Sequence, residues 1–182
     1  MKIDKTYIEG LLIIQPVIYY DNRGYFFECY NERQLENVIK RKFVQDNEAY
    51  SKYGVIRGLH YQLPPYEQAK LIRVVSGKIF DVVVDLRKNS KTFGKWFGII
   101  LDSEEKKILY VPPGFAHGYS VLSNEAIVLY KCDNFYNKDY ERGIIYSDKD
   151  LNINWMIDEK DIIISEKDKN LKEFRFAEYF DF

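Results

Sequence analysis

The sequence predicts a mainly β fold, an antiparallel barrel or double-sheet jelly roll with a few short helices. Three observations carry that expectation. About ten short runs rich in β-branched and aromatic residues follow one another between turn signals, with no intervening helical periodicity of the kind a parallel α/β fold needs. Aromatic residues make up 16% of the chain, with 16 Tyr and 12 Phe, a composition suited to pleated, half-buried surfaces. In Lys78–Arg87 the alternation places Phe80, Val82, Val84 and Leu86 on one face and Ile79, Asp81, Val83 and Asp85 on the other, so one face reads as core and the other as mixed.

The elements follow in order. Leu11–Tyr20 is apolar and β-branched, Asp21-Asn22-Arg23-Gly24 reads as a turn, and Tyr25–Tyr30 resumes as a strand, giving a hairpin-like opening. Asn31 followed three residues later by Gln34, with Leu35, Val38 and Ile39 at helical spacing, predicts a short capped helix. Strands are then expected over Lys42–Asn47, Val55–Gln62, Ala69–Val75, Ile79–Arg87, Trp96–Leu101, Lys107–Val111, Tyr119–Leu122, Ala126–Asn134 and Gly143–Tyr146. Ser165-Glu166-Lys167-Asp168 resembles a capping box, with Leu171 and Phe174 continuing a short helix. The aromatic tail Phe174–Phe182 needs a surface to cover, either on its own domain or on a second subunit. There are no repeats or linkers, so residues 1–182 are expected to form one domain with a jelly-roll core over about 43–146.

Composition excludes several function classes. Lysine plus arginine total 27 against 28 acids, a net charge of −1, so no global field drives the chain toward nucleic acid or anionic lipid. The N-terminus Met1-Lys2-Ile3-Asp4-Lys5 is charged, and no run reaches the length of a membrane span, so a soluble, cytoplasmic protein is expected. Cys29 and Cys132 are too far apart in sequence to give a metal spacing and read as reduced, buried thiols.

Chemistry concentrates around the two histidines. Alternation in Arg57-Gly58-Leu59-His60-Tyr61-Gln62 puts Arg57, Leu59 and Tyr61 on one face and Gly58, His60 and Gln62 on the other, unless Gly58 marks a bulge. An inward His beside an amide is placed to meet a ligand; a satisfied structural His is the alternative. His117 follows Pro112-x-Gly114-x-x-His117, the spacing of a cupin motif in which a hairpin turn delivers a His into the barrel; bonding to a buried carboxylate is its structural alternative. With two histidines and no H-x-H, a three-His metal site cannot be built. Lys70 precedes an apolar strand and Tyr130 lies within one, so solvent exposure and core packing are their ordinary readings.

Taken together, Asp21–Glu28, Phe43–Asn47, Arg57–Gln62, Gln68–Leu71, Gly77–Arg87, Pro113–Gly118 and Leu129–Lys131 resemble, in order and across nearly the whole chain, the dTDP-4-dehydrorhamnose 3,5-epimerases. That resemblance implies a metal-free, cofactor-independent cupin-type jelly roll acting as a homodimer on a nucleotide-diphosphate sugar. It implies His60 as general base, Asp168 as its orienting partner, Tyr130 as the acid on the opposite face and Lys70 at the enolate oxygen. It implies that Arg23, Glu28, Gln45, Asn47, Arg57, Gln62, His117 and Tyr136 line the sugar-nucleotide site. The alternatives are an epimerase inverting only carbon 3 or carbon 5, one acting on a GDP-linked 4-keto-heptose, a keto-isomerase, a non-catalytic sugar-nucleotide-binding cupin, and a metal-dependent dioxygenase cupin.

Overall fold

A computed structural model describes residues 1–182. Two antiparallel sheets face each other. The larger runs β1 (Lys2–Lys5), β2 (Leu12–Gln15), β10 (Ile108–Val111), β7 (Lys70–Ser76), β12 (Glu125–Cys132), β5 (Gln45–Lys52). The smaller runs β13 (Glu141–Gly143), β6 (Ile56–Gln62), β11 (Phe115–Val121), β8 (Lys78–Asp85), β9 (Trp96–Asp102). The remaining strands, β3 (Tyr19–Asp21) and β4 (Gly24–Phe26), form a separate hairpin. This is the cupin-like double-sheet arrangement expected, with two four-residue helices, α1 (Glu32–Leu35) and α2 (Glu166–Lys169). Because β1 and β2 extend the larger sheet, pairing reaches beyond residues 43–146.

Three apolar layers organise the molecule. Ile72, Val74, Ile79, Val83, Leu109, Val121 and Val128 fill the space between the sheets. The outer face of the smaller sheet (Leu59, Tyr61, Phe80, Val82, Val84, Leu86) is roofed by Leu151, Trp155 and Phe180 from the C-terminal segment. The outer face of the larger sheet is covered by Leu35 and Ile39. Strand β8 is therefore buried on both faces, which is why apolar residues occur in both sets of its alternation, with Asp81 and Asp85 the polar members of the mixed one; each fully buried aliphatic side chain contributes about 1.5–3 kcal/mol.

Several local expectations are corrected. The first helix spans only Glu32–Leu35, and Asn31 makes no cap: Asn31 Nδ2 and Gln34 Nε2 both donate to Glu28. Leu35 and Ile39 are buried while Val38 is exposed. The second helix stops at Lys169, with Phe174–Phe176 a separate 3-10 turn. Strand β11 begins at Phe115, so His117 sits within a strand rather than on the turn before it. Cys29 is exposed and Cys132 buried. The aromatic tail packs on its own chain: Phe180 is buried, its N–H donates to Leu86 O and its carbonyl accepts from Lys88 N–H.

Candidate active site

The site is built between the sheets. A cavity of about 490 Å³ is lined by Arg57, His60, Lys70, His117, Tyr119, Tyr130, Lys167 and Asp168, among others. A side pocket of about 160 Å³ shares His60, Lys70 and Tyr130 and adds Gln45, Asn47, Gln62, Cys132, Tyr136 and Glu141. His60 and His117 come from the smaller sheet, Lys70 and Tyr130 from the larger, so their side chains enter from opposite walls.

A bulge shapes the smaller sheet's wall. His60 pairs with His117 and Arg57 with Tyr119, so Gly58 and Leu59 together oppose Gly118 alone. Here strict alternation fails: Arg57 lines the cavity with His60, while Leu59 and Tyr61 point to the outer core. Gly58 has φ +112, and a Cβ there would lie 2.7 Å from the Gly118 Cα and the His117 carbonyl oxygen, which only glycine avoids.

His60 and Asp168 form a dyad. His60 Nε2 lies 2.8 Å from one Asp168 oxygen, the other accepts from the Gly58 N–H at 3.2 Å, and the Asp168 N–H is held by Ser165 Oγ at 3.1 Å. His60 Nδ1 has no partner within the protein. Burial pushes the Asp168 carboxyl upward, but the hydrogen bond and charge of His60, the Gly58 N–H and Lys167 together bring it below the usual carboxylate range. A carboxylate so held fixes the orientation of the imidazole ring and the nitrogen it presents to the cavity.

Opposite, burial raises the Tyr130 phenol to about 12, so it carries its proton at neutral pH. The Lys70 ammonium lies 6.0 Å from the centre of the Tyr130 ring. Burial pulls its pKa below the ordinary amine value, with Cys132, Asp81 and Glu141 acting in the other sense. Arg57 is held by Ser51 Oγ and the Tyr50 carbonyl. Gln45 Nε2 donates to Asn47 Oδ1, and Gln45 Oε1 accepts from Tyr136 N–H. Gln62, although it lines the side pocket, commits its amide to backbone: Nε2 donates to Tyr66 O and Phe135 O, and Oε1 accepts from Asn137 N–H. It therefore anchors the loop that carries Tyr136.

Ten of the twelve residues singled out in the sequence thus meet in one place. Arg23 and Glu28 do not. Arg23 pairs with Asp21 at the tip of the β3–β4 hairpin, and Glu28 is taken up by Asn31 and Gln34. Two further charged residues belong to the site. Glu141 accepts from Tyr136 Oη at 2.9 Å and pairs with Lys167 Nζ at 2.6 Å; although burial raises it, those partners and His60 hold its carboxyl below the ordinary range. Lys167 adjoins Asp168 in the capping segment, a signal that could have found it, whereas Glu141 sits in a charged stretch without pattern.

Comparison with known proteins finds sugar-nucleotide epimerases. The family model for dTDP-4-dehydrorhamnose 3,5-epimerase matches residues 5–175. The dTDP-4-dehydrorhamnose 3,5-epimerase of Shigella flexneri is 50% identical over 182 residues, 99% of each chain. The enzyme of that name from Elizabethkingia anophelis is 50% identical, with a TM-score of 0.94 over 98% of this chain and 99% of its own. The dTDP-6-deoxy-D-glucose-3,5-epimerase of Legionella pneumophila, solved with dTDP-4-keto-L-rhamnose, is 41% identical, with a TM-score of 0.95 over 100% of this chain and 98% of its own.

Proposed function

This chain belongs to the dTDP-4-dehydrorhamnose 3,5-epimerase family, and we propose how its cavity inverts the two carbons that flank the keto group. It is an isomerase that converts dTDP-4-dehydro-6-deoxy-D-glucose to dTDP-4-dehydro-L-rhamnose. A proton next to a carbonyl is weakly acidic, so its removal needs a placed base and a stabilised enolate oxygen. With Nε2–H given to Asp168, His60 Nδ1 takes the carbon-bound proton, and the Asp168 charge supports the imidazolium that results. Lys70 meets the negative charge on the keto oxygen, a contribution of about 3–4 kcal/mol for a preorganised donor. Tyr130 then delivers a proton from the other side: its O–H bond breaks, the new C–H bond forms on the opposite face, and the carbonyl returns. Each proton-transfer group supplies roughly 10²- to 10⁴-fold in rate.

The observation that carries this reading is that an imidazole base and a protonated phenol enter one cavity from opposite sheets, with the Lys70 amine lining the same cavity on the phenol's side. Inversion requires two faces, since returning the proton to the face it left restores the starting sugar. Arg57, Gln45, Asn47, His117 and Tyr136 hold the nucleotide-sugar around that centre. The test is NMR of the substrate in heavy water. Deuterium at carbons 3 and 5 with inversion at both is expected, and His60→Ala should abolish it while nucleotide binding persists; near-normal turnover in that variant removes His60 from the base role.

The working unit we propose is a homodimer. Tyr19, Tyr20, Tyr25 and Phe26 on the β3–β4 hairpin are all more than half exposed, an apolar patch that suits burial against a second copy. Such packing would also bring Arg23, remote from its own cavity, to a substrate held by the other subunit. Analytical ultracentrifugation should find a dimer that Tyr20→Asp with Phe26→Asp weakens; a monomer with full activity would remove this proposal.

A further inference from the structure

His60 and His117 are cross-strand partners, and each has its Nε2 held by a carboxylate, but the two carboxylates differ. Asp168 divides its oxygens between His60 and the Gly58 N–H, beside Lys167. Asp81, on β8, is fully buried, and both of its oxygens accept from one donor, His117 Nε2, at 3.0 and 2.9 Å. No lysine or arginine forms an ion pair with it. A buried carboxylate with one partner is a costly thing to keep in a core, and this one lies on the inner face of the smaller sheet, in the set of Ile79 and Val83, where it meets His117 and faces the larger sheet from which Lys70 enters the cavity.

We propose that Asp81 is a positioning residue of the epimerase site: it holds the His117 ring so that Nδ1 faces the substrate, and it supplies the buried negative charge that keeps Lys70 an ammonium beside the keto oxygen. The inference rests on the reading of Lys70 as the enolate-stabilising group. The groups around Lys70 are His60 from β6, His117 from β11, Tyr130 and Cys132 from β12, Glu141 from β13, and, on the inner face of β8, Asp81, which holds His117. Of the two carboxylates, Glu141 is already engaged by Lys167 and Tyr136. Burial drives the Lys70 amine toward its neutral form, and Asp81 opposes that drift. A neutral amine would meet the enolate with a hydrogen bond alone, without the full charge that makes such a site effective.

The test is Asp81→Asn, which keeps the shape and an acceptor for the His117 Nε2–H but removes the charge. Turnover should fall roughly 10- to 100-fold, as for loss of part of an oxyanion site, with KM and Tm nearly unchanged, and the alkaline limb of kcat should move to lower pH. The direction follows from the amine: without its anion it gives up its proton sooner, so the cationic form ends at lower pH. Tyr130, at about 12, titrates too high to set that limb. An unmoved limb, or a loss seen only in Tm or KM, would overturn the proposal. Lys70→Met separates the two levels. If it retains turnover, the reading of Lys70 fails; if it collapses turnover while Asp81→Asn leaves the limb in place, only the role of Asp81 fails. Should Asp81→Asn not fold, the ¹³Cε resonance of Lys70 in the wild-type protein decides, since a neutral amine at the pH of full turnover contradicts the proposal.

Discussion

Replacing Asp168 with Asn should cost far more than one charge. Asp168 uses one oxygen for His60 Nε2 at 2.8 Å and the other for the Gly58 N–H at 3.2 Å. Asn offers one acceptor and one donor, and the backbone N–H of Gly58 can only be met by the acceptor. The amide N–H₂ is thereby turned toward His60 Nε2, which must become an acceptor, and the imidazole proton shifts to Nδ1, the nitrogen that has to abstract. Loss of charge-assisted bonding alone, about 1–1.5 kcal/mol as the gap between charged and neutral hydrogen bonds, would slow the reaction roughly 10-fold. The wrong tautomer raises that to roughly 10³- to 10⁴-fold, the scale seen when a His-orienting Asp becomes Asn in catalytic triads. The assay is kcat for Asp168→Asn against wild type, with deuterium exchange at carbons 3 and 5 measured alongside. Both should fall together, because abstraction itself is lost. A kcat within 10-fold of wild type would refute the tautomer reasoning.

Other outcomes follow from the same geometry. Tyr130→Phe should keep exchange at carbon but lose inverted product, read by NMR of the reduced sugar; inversion at the normal rate would assign the acid elsewhere. Gly118→Ala would set a Cβ 2.6 Å from the Arg57 carbonyl oxygen and 3.2 Å from the Gly58 Cα, so the bulge must shift, with about 1–3 kcal/mol of stability lost as overpacking and visible in Tm. Asp168, Glu141 and Asp85 all have carboxyl groups held below their ordinary values. Their contribution is complete above the unfolded carboxylate range and disappears as pH falls through the folded values, so Tm should decline below about pH 4, and less steeply in Asp85→Asn. Lys106, whose ammonium lies 4.0 Å over the Tyr25 ring and 5.7 Å from that of Phe27, ties the β3–β4 hairpin to the body; Lys106→Ala should speed proteolysis between Val17 and Phe27 without lowering Tm by more than a few degrees.

What the sequence made legible was whatever depended on period. The strands announced themselves by alternation, which gave His60 a face shared with Gln62, whereas Lys70 and Tyr130, whose ordinary readings were solvent exposure and core packing, were placed in the site only by the resemblance. Alternation set Arg57 opposite His60 unless Gly58 marked a bulge, and the bulge at Gly58–Leu59 resets the count and brings Arg57 to the cavity. The Ser165 cap that holds Asp168 was legible as a pattern, but the pairing of Asp168 with His60 was implied only by the resemblance. Glu141 carried no such signal, since a charged residue in a charged stretch looks alike whether it faces water or a pocket, and only tertiary placement distinguishes the two; Lys167, beside Asp168 in the capping segment, had one that went unused. Asn31 and Gln34 show the converse: a good capping pattern gave way to Glu28, which offered both amides a charged acceptor.

The C-terminal segment has a consequence beyond packing. It is stitched to the sheets by backbone bonds, from Ile56 N–H to the Ile163 carbonyl, from Ile145 N–H to the Lys172 carbonyl and from Phe180 N–H to the Leu86 carbonyl, and Asp148 receives the Phe174 N–H. The same segment delivers Asp168 to His60. A molecule in which the two sheets have closed but this last stretch has not docked would possess His60, Lys70 and Tyr130 and still lack the anion that arms the base. Activity is thus withheld until the final part of the chain has found its seat, and turnover reports on the completion of folding as much as on the chemistry.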